Sequence, residues 1–248
     1  MPDELFANPR LAAVYDVLDG ERDDLVHYHA LVAELGAASV LDVGCGTGSL
    51  AVLLADDGIA VTGLDPAEAS LAVARRKAGA DRVDWRHGDA TAMASALGPD
   101  ARFDLAVMTG NVAQVFTTDE AWSSTLAGIA AAVVPGGHLV FETRDPARRA
   151  WEEWTEARTR RVVAVSTDAG PDTVETWHEL LEVALPLVRF RTTYRFGADG
   201  AELHSHSTLR FRPLDEVRAT VEAAGFGVEE VRDAPDRPGK EFVVIAKR

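Results

Sequence analysis

The residues whose spacing carries most chemistry are Asp42, Gly44, Gly46 and Gly48, set in the run VLDVGCGTGSLAVLLA at 40–55. Val40, Leu41 and Val43 suit a buried strand, the alternate glycines allow a sharp turn with close backbone approach, and helical apolar spacing begins at Ser49. A helix that starts directly after such a turn aims unpaired amides and a positive dipole end at whatever binds there. Carboxylates and phosphates are both attracted. Counting from Gly44, the dinucleotide pattern G-x-G-x-x-G/A meets Ser49 at its third position, and Gly48 arrives one residue early. No Gly-Lys-Ser/Thr follows, so the phosphate-cradling loop of nucleotidases is absent. The spacing therefore argues for a nucleoside other than NAD.

Two further acids follow in order. Ala60-Val61-Thr62-Gly63-Leu64-Asp65 is a strand ending in a carboxylate, followed by Pro66. At the end of the second strand of a doubly wound sheet a carboxylate can accept from both hydroxyls of a ribose diol. Asp89, in Trp85-Arg86-His87-Gly88-Asp89-Ala90, comes after the third strand, where it can accept from an adenine amino group. An Asp at a strand end also caps helices; the ordered set is what is specific.

These residues need a scaffold. Short β-type runs at 40–43, 60–64, 83–86, 104–108 and 138–142 alternate with helical stretches, which predicts a parallel sheet covered by helices on both faces. Leu25, Tyr28, Leu31, Val32 and Leu35 form an earlier helical pattern, and Leu11, Val14, Tyr15 and Leu18 a shorter one, as a lid or packing element. From 160 to 212 the period becomes two, with loop signals at 168–171, Pro186 and 197–200, predicting three or four antiparallel strands. Val188, Phe190, Thr192, Tyr194 and Phe196 then share a buried face, and Arg189, Arg191, Thr193 and Arg195 a wet one. A helix at 214–224 and a terminal pair at 227–232 and 241–247 complete the chain, giving units at 1–36, 37–159, 160–212 and 213–248.

At 248 residues and 47% hydrophobic content the chain can bury a core of its own. Its net charge of −15 opposes nucleic acid and acidic membrane surfaces and makes a neutral or cationic small substrate easier to accommodate. Arg144, Arg148, Arg149, Arg158, Arg160 and Arg161 are interleaved with acids and read as a solvated mixed-charge surface. The lone Cys45 excludes an intramolecular disulfide and a Cys-based zinc site. MPDELFANPR has no basic stretch leading into an apolar core of ~7–15 residues, and no apolar run reaches ~18 residues. A cytoplasmic monomer or homodimer is expected.

The chain resembles the class I S-adenosylmethionine-dependent methyltransferases of small molecules. The resemblance rests on Asp42-Val43-Gly44-Cys45-Gly46-Thr47-Gly48, Gly63-Leu64-Asp65, Gly88-Asp89-Ala90, Phe103-Asp104-Leu105-Ala106-Val107 and Val134-Pro135-Gly136-Gly137-His138-Leu139-Val140. It implies a Rossmann-like α/β fold, with a seven-stranded sheet whose last strand runs antiparallel, to which the antiparallel β segment is an insertion. S-adenosyl-L-methionine is the implied cofactor, its methionine half on Gly44 to Gly48, its ribose on Asp65 and its adenine on Asp89. The segment after the fourth strand, Thr109-Gly110-Asn111-Val112-Ala113-Gln114, lies by resemblance near the methionine moiety and the acceptor, as ligands beyond strand carboxyl ends do. A helix cap and a surface helix position are the competing roles of Asn111 and Gln114. Tyr15 resembles lid tyrosines that cover the cofactor, with plain packing beside Leu11 and Val14 as its competitor.

A methyl transfer needs no enzyme nucleophile, but an amine acceptor must be neutral and a hydroxyl benefits from a base. The candidates are His178, opposite Trp177 across its strand, and His204, which shares a face with His206, Thr208 and Arg210; a polar surface position competes for His204. No metal is expected, because the His-x-His pair lacks further ligands. Arg144, Trp151, Trp154, Trp177, Asn111 and Gln114 are the acceptor-side candidates, aromatic packing being the alternative for the tryptophans. Comparable β insertions roof the acceptor pocket, or make a dimer contact, in methyltransferases of sugar amines and other metabolites. The Asn/Asp-Pro-Pro-Tyr/Phe signature of many nucleic-acid amino methylases is missing. The alternatives to methyl transfer to N or O of a small metabolite are a nicotinamide-dependent oxidoreductase and a non-catalytic S-adenosylmethionine-binding protein.

Overall fold

The computed structural model describes residues 1–20, 22, 24–167 and 169–248; Asp168 of the 168–171 turn signal lies outside them. Strand β1 (Ser39–Val43) has four successive buried residues, the pattern of a strand covered on both faces. It is followed by β2 (Ala60–Asp65), β3 (Val83–His87), β4 (Phe103–Met108) and β5 (Val133–Arg144). Then come β6 (Arg161–Thr167), β7 (Gly170–Ala184), β8 (Leu187–Phe196), β9 (Glu202–Arg210), β10 (Gly227–Asp233) and β11 (Glu241–Lys247). The large sheet has seven strands in the order β10-β11-β5-β4-β1-β2-β3, and β11 runs antiparallel to both neighbours. Strand order reverses between β1 and β4, and this opens a crevice beyond their carboxyl ends.

The helices are α1 (Glu4–Ala7), α2 (Pro9–Ala12), α3 (Tyr15–Asp19), α4 (Asp24–Glu34), α5 (Ser49–Asp56), α6 (Glu68–Ala74), α7 (Met93–Leu97), α8 (Asp119–Ala132), α9 (Glu156–Thr159) and α10 (Leu214–Ala223). The single short helix expected across Leu11 to Leu18 is two pieces, because Asn8 caps α2 through its side chain and Val14 leaves helical geometry at φ −108°. On one face of the sheet Leu41, Val43, Met108 and Phe141 meet Trp122 and Ile129 of α8 and Val221 of α10. On the other, Val40, Val61, Val107 and Val140 meet Leu50 and Leu54 of α5 and Leu31 and Val32 of α4. No helix among the described residues is long and apolar enough to cross a membrane.

The strands β6-β7-β8-β9 form a separate antiparallel sheet. Its inward face, through Val165, Val174, Tyr194 and Phe196, holds Leu11, Val14 and Leu18 of the N-terminal helices. The N-terminal helices and the small sheet thus share one core, tied further by Leu5 N donating to Ser205 Oγ at 3.0 Å and by Arg161 donating to the Leu18 carbonyl. Thr193 departs from the wet-face expectation and is buried. It pairs with Trp177 across the sheet and bonds His204 Nδ1 at 3.1 Å, so the large indole covers it.

Trp122 is the hub of the α8 layer, 1% exposed, edge-on to Phe141 at 5.6 Å and donating through Nε1 to Thr220 Oγ1 at 2.9 Å. Trp122→Ala should cost about 3–5 kcal/mol in denaturant unfolding, by cavity formation and an orphaned hydroxyl; a loss below about 1 kcal/mol would contradict this packing.

Candidate functional site

The glycine turn leaves β1 with Gly44, Gly46 and Gly48 all at positive φ (73°, 55° and 77°), a conformation that favours glycine. Space is as restrictive as torsion: a Cβ on Gly44 would come within 2.7 Å of Val112, and one on Gly48 within 2.3 Å of Trp85. A Cβ on Gly46 would meet nothing within 4 Å, so the open side of the turn lies there. The Leu64 carbonyl accepts from Gly44 N at 2.8 Å and Cys45 N at 3.2 Å, and this fixes the turn to β2. Asp65 completes the clamp, taking Gly46 N on Oδ2 and Ala67 N on Oδ1, both at 2.7 Å. Each oxygen keeps a second lone pair. Burial pushes this carboxyl upward, against the two amide bonds.

Asp42 sits at the end of β1, 1% exposed, and its Oδ1 has no partner among the described residues. Burial and the neighbouring Asp65 charge push it up to about 7, with Arg22 opposing. Asn111 is the second orphan. Its backbone is left-handed at φ 61°, and its Nδ2 donates to Glu241 at 3.0 Å and Glu142 at 3.4 Å. Two acceptors on that side fix the amide orientation, which leaves the buried Oδ1 unpaired. Asn111 is therefore no side-chain helix cap. Since Val112 touches Gly44, the two turns lie side by side.

The rest of the cofactor-side set frames these turns. His87 Nε2 lies 3.1 Å from the Pro66 carbonyl, and Gly88 N donates to the Asp65 carbonyl at 3.0 Å. Asp89 Oδ1 accepts from Thr91 N and Oγ1 at 2.8 Å, the capping role, while Oδ2 stays open. Ala90 is buried, the Cys45 thiol is raised by burial, and Thr109 and Gly110 lead into Asn111. Thr47 donates to Asp16 Oδ1 at 2.5 Å, and Lys77 Nζ reaches Asp16 Oδ2 at 2.7 Å. Asp16 so closes α3 over the turn and brings the adjoining Tyr15, itself packed 5.4 Å from Phe6 and raised by burial, to the rim.

Among the acceptor candidates Gln114 is fully buried rather than a surface residue, because Arg144 Nη1 donates to its Oε1 at 2.9 Å and its Nε2 reaches the Arg210 carbonyl at 3.3 Å. Arg144 also pairs with Glu241 at 3.4 Å and lies 5.7 Å from the Trp154 ring. Trp154 packs on Phe190 at 4.6 Å, and His178 stands edge-on to Phe190 at 5.7 Å with Nδ1 2.8 Å from Thr192 Oγ1. Three expectations need correction. Trp151 is 2% exposed, packed against Phe211 and Val188, and belongs to a core. Trp177 occupies the outer face of the small sheet beneath Arg160 and Arg195, at 4.4 and 5.2 Å. His204 shares that outer face through its register with Thr193, which period two separates from His178. Of the arginine run, Arg144 departs from the solvated reading by turning into the fold, while Arg161 stays exposed and donates to the Leu18 carbonyl.

Sequence reasoning passed over Asp16, Arg22, Glu142 and Glu241. Glu142 is 3% exposed, accepting from Tyr28 OH at 2.5 Å and Asn111 N at 2.9 Å, and burial raises it. An acid at the end of the apolar run His138-Leu139-Val140-Phe141 was the available signal.

Residues 40–137 match the family model described as a methyltransferase domain. A ubiquinone biosynthesis O-methyltransferase of Serratia proteamaculans is 36% identical over 113 residues, 46% of this chain and 45% of that protein, so the match spans under half of that relative's length. The amino pentose methyltransferase CalS10 of Micromonospora echinaspora, solved with S-adenosylmethionine bound, shares the fold with TM-score 0.68 and 23% identity over 95% of this chain and 96% of that one. The sugar N-methyltransferase KedS8 of Streptoalloteichus does so with TM-score 0.74 and 20% identity over 93% and 90%. Residues 40–137 thus match a methyltransferase domain, and the chain as a whole shares its fold with solved S-adenosylmethionine-dependent methyltransferases.

Proposed function

We propose that the protein transfers a methyl group from S-adenosylmethionine to an oxygen or nitrogen of a small molecule by in-line displacement. The observation that carries this reading is the pair of buried orphan oxygens, Asp42 Oδ1 and Asn111 Oδ1, beside an open glycine turn. Each unpaired group costs on the order of 1–3 kcal/mol. The methionine half of the cofactor brings cationic N–H donors that fit both. Asp65 has lone pairs left for ribose hydroxyls and Asp89 a free oxygen for the adenine amino group. When bound, the sulfonium supplies a methyl group that is already activated, so the protein's own contribution is alignment. Asp42, the 44–48 turn, Asp65, Asp89 and Asn111 hold the donor; Gln114, Arg144, Trp154 and His178 line the acceptor side beneath the roof. O-methylation in one named relative and N-methylation in one structural neighbour support both classes of acceptor atom.

In calorimetric titration the protein should bind S-adenosylmethionine and S-adenosylhomocysteine saturably and NAD not at all; the reverse pattern sinks the reading. Asp65→Ala should weaken cofactor binding by about tenfold or more, since a charge-assisted pair of contacts and the turn clamp go together. An unchanged affinity in the folded variant would remove Asp65 from the site. Asp42 yields a pH prediction. Its folded pKa of about 7 lies above the ordinary carboxyl value, so its stabilising contribution is complete below the unfolded pKa and is lost as pH rises through 7. Ligand-free protein should therefore lose stability between about pH 4 and pH 7 in denaturant titrations, and Asp42→Asn should flatten that slope. Equal slopes in both proteins would contradict the buried, unpaired carboxylate.

A further inference from the structure

The loop after β4 is held in a strained form by a buried arginine that comes from the far end of the small sheet. Gly110 and Asn111 are successive left-handed residues, at φ 69° and 61°. Glycine adopts that form freely, but a residue with a side chain keeps it only where its surroundings over-determine it. The entry to the loop is fixed by Glu142, which accepts from Asn111 N at 2.9 Å, and by the Asn111 and Val112 carbonyls, which accept from Gln114 N and Val115 N at 2.9 and 3.1 Å. Its exit is fixed by Arg212. Nη1 donates to the Ala113 carbonyl at 3.2 Å and Nη2 to the Phe116 carbonyl at 2.7 Å, so one planar fork spans the turn that begins at Asn111.

Arg212 lies in the short connection between β9 and α10 and is 3% exposed. A guanidinium taken out of water is costly unless it is paired and hydrogen-bonded. Here Glu216 lies 3.4 Å from Nε and the Trp122 ring 5.0 Å from Cζ, which together with the two carbonyls fix the group in place. Arg210 grips the same loop one residue on: Nη1 donates to the Thr117 carbonyl at 3.4 Å, and its own carbonyl accepts from Gln114 Nε2 at 3.3 Å. Packing alone would be served by a glycine at 111 and an apolar side chain at 212, since well-packed apolar groups replace buried ion pairs at little loss. Both positions instead carry polar side chains, and what they jointly hold is the unpaired Asn111 Oδ1.

We infer, resting on the methyl-transfer reading, that Arg212 is a positioning residue for that reaction: acting through the backbone of the 113–116 turn, it keeps Asn111 in the form that aims Oδ1 at the methionine half of the cofactor. The connection leaving the antiparallel insertion thereby sets the geometry at the methyl donor.

The test compares two probes by calorimetry, S-adenosylhomocysteine, which has the aminoacyl arm, and 5′-methylthioadenosine, which lacks it. Arg212→Lys keeps the charge and loses the fork; it should weaken S-adenosylhomocysteine by about tenfold and leave 5′-methylthioadenosine within about twofold. Arg212→Met should do the same at least as strongly. Asn111→Gly removes both the strain and the oxygen, so in that background Arg212→Lys should weaken S-adenosylhomocysteine no further. A residue that only supported the core would weaken both probes alike and add its effect to that of Asn111→Gly. Equal weakening of the two probes, additivity of the two substitutions, unchanged S-adenosylhomocysteine affinity in either folded Arg212 variant, or failure of both variants to fold overturns the inference while the methyl-transfer reading stands. Failure of the unaltered protein to bind S-adenosylhomocysteine sinks that reading and this inference together.

Discussion

Everything at the site depends on a buried carboxylate at the end of a central strand. Asp42 cannot be solvated there, and one of its oxygens meets no donor among the described residues. An isolated buried charge is expensive, so it is either neutralised or completed by a ligand. Under the proposed function the ligand supplies the second route. Asp65, two strand residues away in space, is satisfied by the amides of Gly46 and Ala67 and holds the turn open beside Asp42. The two acids thereby divide the work: one makes the cradle, the other waits for what fills it.

The cradle is closed by parts distant in sequence. Asp16 reaches Thr47 and Lys77, and the helices around it share a core with the inward face of the small antiparallel sheet. Asn111 is turned by Glu142 and Glu241 so that its amide oxygen faces away from both acids. Breaking the Tyr28–Glu142–Asn111 chain would free that amide to rotate. The network therefore converts buried polar groups, costly in themselves, into a fixed acceptor next to the glycine turn.

Much of this was legible in the sequence because its signals are local. The glycine spacing, the strand-end acids Asp65 and Asp89 and the alternation of runs each depend on neighbours within a few residues, and the sheet order agrees with them. What was not legible is set by long-range contact. Period two separates Trp177 from His178, yet only the packing of the N-terminal helices says which side is inward. Gln114 reads as a surface residue until Arg144, thirty residues away, is placed against it. The arginine run reads as uniformly solvated, although the end of β5 carries Arg144 into the interior.

The most direct measurement is a crystal structure of the protein soaked with S-adenosylmethionine. The account predicts the cofactor on the 44–48 turn, with its methionyl ammonium within hydrogen-bond distance of Asp42 Oδ1 or Asn111 Oδ1 and its ribose at Asp65. A cofactor bound elsewhere, or one on the turn that leaves both oxygens unpaired, would contradict it.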